Sequence, residues 1–120
     1  MSKRVMVVDD SRLVRVQLGD VLDGTDYEII AYCRSGEEAI SQYDEIKPDL
    51  VTMDIIMHEM DGLDASEIIL KKHPDAKIVM ISSLAYDDTF ERAKAIGVKG
   101  FVDKPFHKEQ LLKIFEQALS

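Results

Sequence analysis

Hydrophobic residues fall along the chain in two alternating patterns. Short, nearly continuous apolar runs are separated by longer stretches in which apolar side chains recur every three or four residues. The runs cover 4–8, Tyr27–Cys33, 50–53, 77–82 and 100–102. Val5-Met6-Val7-Val8, Leu50-Val51-Thr52-Met53 and Ile78-Val79-Met80-Ile81 are almost unbroken, as strands covered on both faces should be. Glu28 dilutes the second run and the fifth is very short, which places those two at the edges of a sheet.

The stretches between the runs have helical periodicity. The first helix is predicted over about 11–23, with Val14, Leu18, Val21 and Leu22 on one stripe and Gly24 placed to end it. The second spans Gly36–Ile46, opened by Ser35 and Glu38 at capping-box spacing and stopped by Pro48. The third, Gly62–Lys72, ends at His73-Pro74 and has Asp61 and Asp64 placed to cap its start. The fourth, Asp87–Ile96, is closed by Gly97 and turns Phe90, Ala93 and Ile96 inward; the fifth, Lys108–Leu119, buries Leu111, Leu112 and Phe115. Strand and helix thus alternate five times. With right-handed crossovers, this order predicts an α/β domain built on a doubly wound, five-stranded parallel sheet, flavodoxin-like, with strand order 2-1-3-4-5.

Composition narrows the class. At 120 residues the chain suits one domain, residues 1–120, large enough to fold without a disulfide or metal staple. Its single cysteine, Cys33, points to a reducing compartment and reads as inert packing. No apolar run approaches membrane-spanning length, and the charges of the first 20 residues leave no signal-peptide core, so a cytoplasmic domain is expected. The formal charge of −8 argues against a grip on nucleic acid and suits a domain that binds cations or basic protein surfaces.

Working groups in such sheets sit at the carboxyl ends of the strands. Asp9 and Asp10 follow the first strand, Asp54 the third, Ser82 and Ser83 the fourth, and Asp103, Lys104 and Pro105 the fifth. An acidic pair alone is an ordinary turn or cap, and a lone lysine an ordinary surface charge. In this order they converge, because strands one and three are neighbours. Three carboxylates so close repel by several kcal/mol at an effective dielectric of about 20, and a hard divalent cation, Mg²⁺ by preference, relieves them. A carboxylate can attack phosphorus to give an acyl phosphate while metal and lysine neutralise the transferred oxygens. Ser82 can hydrogen-bond that group.

The chain resembles response-regulator receiver domains over its whole length. The matching segments are Val7-Val8-Asp9-Asp10-Ser11, Met53-Asp54-Ile55-Ile56-Met57, Met60-Asp61-Gly62, Ile81-Ser82-Ser83 and Lys104-Pro105-Phe106. It is most similar to stand-alone, CheY-like chemotaxis regulators, since it starts at a methionine and stops after the fifth helix. The resemblance implies that Asp54 is the phosphoacceptor for a histidine kinase's phosphohistidine. It implies that Asp10, Asp54 and the Ile56 backbone carbonyl hold Mg²⁺, with Asp9 acting through water. Lys104 would pair with the phosphoryl oxygens across a cis Lys104–Pro105 bond. Ser82 and Phe101 would form the switch, changing the surface of the fourth helix, fifth strand and fifth helix for a downstream protein target. A phosphatase is a further implied partner. Three positions depart from the commonest pattern: His58 for proline, Phe101 for tyrosine and Ser82 for threonine. Ile56 and Leu84 are expected to flank the phosphoryl group and, being apolar, to leave its hydrolysis slow.

Other readings fare worse. A haloacid-dehalogenase-type phosphatase needs a second aspartate two residues after its nucleophile, where Ile56 stands. No phosphate-cradling glycine loop is present, which disfavours a nucleotide-binding domain. A flavin carrier would set an anionic first loop against the flavin phosphate. His58, His73 and His107 lie apart, and Met53, Met57 and Met60 lack ligand partners, so no transition-metal site is expected. The runner-up is a receiver cut from a longer regulator with a DNA-binding or enzymatic output domain.

Overall fold

The computed structural model describes residues 2–57, 59–83 and 87–120, the side chain of Asp87 excepted. His58 and Leu84 therefore lie outside the described residues. Ten elements alternate in chain order: β1 (Lys3–Val8), α1 (Arg12–Leu22), β2 (Tyr27–Cys33), α2 (Gly36–Ile46), β3 (Leu50–Asp54), α3 (Gly62–Lys72), β4 (Ile78–Ser82), α4 (Asp87–Ile96), β5 (Gly100–Asp103) and α5 (Lys108–Leu119). The strands form one parallel sheet in the order β2-β1-β3-β4-β5, with the diluted second strand and the short fifth at its edges.

Strand alternation divides the core into two layers. Val5, Val7, Leu50, Val79, Ile81 and Val102 face α1 and α5, meeting Leu18, Leu111 and Phe115. Met6, Val8, Val51, Met53, Ile78 and Met80 face α2, α3 and α4, meeting Ala39, Leu63, Ile69 and Ala93. Burial on both faces is why the central runs carry no polar alternation.

Local signals set the helix limits. Ser11, Ser35 and Asp61 each accept a backbone N–H from the third residue onward, at Val14, Glu38 and Asp64, and so start α1, α2 and α3. Gly24, at φ 78°, follows the Asp23 cap of α1 and supplies the left-handed turn that an L side chain disfavours. One inward expectation is corrected. Phe90 is 39% exposed, because its ring lies against Phe101 at the β5 edge, 5.4 Å between centroids, with the Lys94 ammonium 4.7 Å away. Val21 and Leu112 pack against the core only in part, whereas Leu111 and Phe115 are fully buried.

Candidate functional site

The site starts from the pairing of β1 with β3. Val8 lies opposite Met53, so the residues that follow the two strands emerge side by side. Asp9 is held from both directions: its backbone N–H donates to the Cys33 carbonyl at 3.0 Å, and its Oδ1 accepts the Ser11 N–H at 2.8 Å. Because Ser11 also caps α1, the start of that helix fixes the Asp9 carboxylate. Asp9 and Asp54 are buried and Asp10 is exposed, yet one carboxylate oxygen from each lies within 4.8 Å of the others.

Lys104 is brought to the same place from β5. Its Nζ donates to Asp9 Oδ2 at 3.3 Å and pairs with Asp54 Oδ1 at 3.5 Å. Its backbone N–H donates to the Ser82 carbonyl at 3.0 Å, and the Lys104–Pro105 bond is cis. Burial pushes the Asp54 carboxyl up to about 6, helped by the charges of Asp9 and Asp10 and opposed by Lys104. Two like charges at this separation repel by about 3 kcal/mol at an effective dielectric of about 20. One ammonium against three carboxylates leaves an excess of negative charge. An all-oxygen donor set with that excess fits a hard divalent cation and does not fit a soft one.

Behind Asp54 the backbone is closed by α3. The Gly62 N–H donates to the Ile55 carbonyl at 2.8 Å, and a Cβ at position 62 would overlap the Asp54 carbonyl oxygen. Only glycine lets α3 come this close to the strand that carries Asp54. Position 62 stood in a motif in the sequence, but nothing in periodicity announced this contact. Ile56, two residues past Asp54, is 56% exposed.

Ser82 ends β4 fully buried, opposite Asp103. Phe101 lies opposite Met80, half-buried against the α2–α3–α4 layer. Met80 and Ser82 share that face of β4 by alternation, so Ser82 and Phe101 stand on one side of the sheet on adjacent strands. Phe101, Phe90, Ala93, Lys94, Val98 and Lys99 line an apolar hollow of about 170 Å³ between α4 and β5.

The family of known proteins described as the response regulator receiver domain matches residues 5–116. The chain belongs to that family. It is 38% identical to the chemotaxis protein CheY of Listeria monocytogenes over 96% of this chain and 97% of that protein. It is 40% identical to the chemotaxis protein CheY of Thermotoga maritima over 94% of each. Among solved structures, the CheX-CheY-BeF3-Mg+2 complex of Borrelia burgdorferi superposes with a TM-score of 0.94 at 29% identity, covering 98% of this chain and 90% of that one. The response regulator domain of Thermotoga maritima CheB gives 0.88 at 32% identity, over 100% and 98%.

The remaining chemistry-bearing residues of this receiver have structural surroundings. Burial, then the neighbouring Glu38, pushes the Cys33 thiol up to about 12, so it stays a neutral packing group. Met53 and Met57 are core residues and Met60 packs against them. His73 pairs with Asp44 at 2.8 Å, at the far end of α3. Among the described residues no helix is long and apolar enough to cross a membrane.

Proposed function

We propose that this receiver takes a phosphoryl group from the phosphohistidine of a histidine kinase onto Asp54 and relays its presence to a protein target, in chemotaxis. One observation carries the reading: carboxylate oxygens of Asp9, Asp10 and Asp54 meet within 4.8 Å, with the Lys104 ammonium against two of them. An Asp54 oxygen forms the bond to phosphorus as the bond from phosphorus to the donor's imidazole nitrogen breaks. Lys104, now 3.5 Å from Asp54, is placed to pair with the transferred oxygens. Asp10, Asp54 and the Ile56 backbone carbonyl are the ligands proposed for Mg²⁺, with Asp9 through water. Bound there, the ion neutralises the charge of the phosphoryl oxygens. Burial of Asp54 keeps competing water away from the carboxylate.

The new group adds negative charge and acceptor oxygens at the end of β3. Ser82, on the next strand, supplies a hydroxyl that moves toward it, and Phe101 swings into the space this leaves. Because Phe90 rests on Phe101, the change reaches α4 and the α4-β5-α5 surface that a target reads. The chemotaxis role rests on CheY relatives matched over nearly their whole length. A phosphatase partner rests on the resemblance to a CheY seen in complex with CheX. Both roles place the protein in the cytoplasm. The chain acts as a signalling phosphoacceptor whose only chemistry is its own phosphorylation and dephosphorylation. Transfer of radiolabel from an autophosphorylated histidine kinase tests this: wild type should be labelled and Asp54→Asn should not, and equal labelling would refute the assignment.

A further inference from the structure

Between α2 and α3 runs an open groove of about 570 Å³, lined by Glu37, Glu59, Met60, Asp64, Glu67 and Ile68. Its floor is apolar. Met60 lies against the first turn of α2 because position 36 is glycine: a Cβ there would come within 3.1 Å of Met60 Cγ and Sδ and 3.0 Å of Ala65 Cβ. Its rim is four carboxylates, and among the described residues Glu37 and Glu59 are in no ion pair. Acidic side chains alone would be an ordinary solvated face. This rim already holds a guanidinium: Arg92, on α4, donates to Asp64 Oδ1 at 2.7 Å and stands 3.8 Å from Glu67 Oε1. The carboxylates thus stand where they can take a basic side chain, beside an apolar floor that stays open.

Arg92 ties the groove to the switch. α3 packs against α2 on one side and α4 on the other. Phe90, which rests on Phe101, belongs to the same helix as Arg92 and precedes it by two residues. A movement of α4 that follows Phe101 therefore carries Arg92 with it and frees two more rim carboxylates. We infer that the groove docks a basic amphipathic segment of a protein partner, in which arginine or lysine side chains flank an apolar one, and that Arg92 competes for the rim until α4 moves. The carboxylates meet the partner's cations, and Met60 and Ile68 take its apolar side chain. The timing of the release rests on the phosphoacceptor reading of Asp54; the docking does not. Arg92 and Asp64 are both about half exposed, so the competition is worth only about twofold to fivefold in affinity.

The probe is a fluorescently labelled helical peptide with a row of leucines flanked by arginines, and anisotropy titrations read its affinity. Arg92→Gln should bind it about twofold to fivefold more tightly than wild type without any phosphate, whereas Arg34→Gln, an exposed site with the same change of net charge, should not. The pair Glu37→Gln, Glu59→Gln should weaken binding by about fivefold or more, beyond the effect of the equally charged control pair Asp26→Asn, Glu28→Gln at the β2 edge. Serine in place of the peptide's leucines should cost about tenfold. Acetyl phosphate with Mg²⁺ should tighten binding to wild type and leave Arg92→Gln little changed. Equal affinities for Arg92→Gln and wild type, equal tightening of both by phosphate, or rim and control pairs that weaken the peptide alike would overturn the inference. So would sedimentation showing that wild type self-associates and the rim pair does not, since the groove would then hold a second copy. Failure of acetyl phosphate to label wild type would strike the Asp54 reading alone, because the Arg92 and rim comparisons need no phosphate.

Discussion

The Lys104 ammonium lies 3.5 Å from Asp54 Oδ1, carried across β4 from the end of β5 to the end of β3. The same Nζ is 3.3 Å from Asp9 Oδ2, so one cation holds together two buried carboxylates that would otherwise repel. Lys104→Ala is expected to destabilise the metal-free protein by about 1–3 kcal/mol at neutral pH, since it strands buried charge. Mg²⁺ should stabilise this variant more than wild type, because the ion takes over the missing positive charge. Thermal unfolding with and without Mg²⁺ checks both effects, and equal Mg²⁺ shifts would contradict them.

The raised Asp54 carboxyl makes stability depend on pH. Its ordinary value is 3.8 and the fold moves it to about 6, so the fold favours the protonated form. That favour is complete below about 4 and is lost as pH rises through 6. Relative to Asp54→Asn, metal-free wild type should therefore lose on the order of 2–3 kcal/mol between pH 4 and pH 7. Mg²⁺ should reverse the loss at neutral pH and bind more weakly below about pH 6, where a proton competes. Urea unfolding of both proteins across this range reads the difference, and parallel pH profiles would count against a buried, repelled carboxylate.

Gly62→Ala should cost about 2–4 kcal/mol, because the new Cβ overlaps the Asp54 carbonyl oxygen and α3 must retreat from the strand that carries Asp54. The retreat should also slow phosphorylation by acetyl phosphate. A variant with wild-type stability and rate would show that the close approach is dispensable.

Ile56, two residues past Asp54 and 56% exposed, offers no side-chain hydrogen bond to a water approaching a phosphoryl group on Asp54. Ile56→Asn adds an amide that can orient such a water. Phosphate should leave the variant several-fold faster after the donor is removed. Equal or slower loss would remove Ile56 from control of the phosphate lifetime.

Most of the architecture was legible because each layer of the sequence agreed with the next. The near-continuous runs at Val5, Leu50 and Ile78 marked strands covered on both faces, and Ser35 and Asp61 marked helix starts. The carboxylate cluster was legible too, once the strand order made Asp9 and Asp54 neighbours. Contacts that depend on the close packing of distant segments were not. Phe90 fits a helical apolar stripe, but β5 ends so near α4 that its ring covers Phe101 at the surface and not the core. The bond from the Ser11 N–H to Asp9, and the demand for glycine at position 62, come from backbone paths that no hydrophobic pattern encodes.

The most direct measurement is the intact mass of the protein after acetyl phosphate treatment, with and without Mg²⁺, for wild type and Asp54→Asn. Wild type should gain the mass of a single phosphoryl group only when Mg²⁺ is present, and the Asn variant should gain none. A gain independent of Mg²⁺, or one that survives loss of the Asp54 carboxylate, would contradict the proposed site.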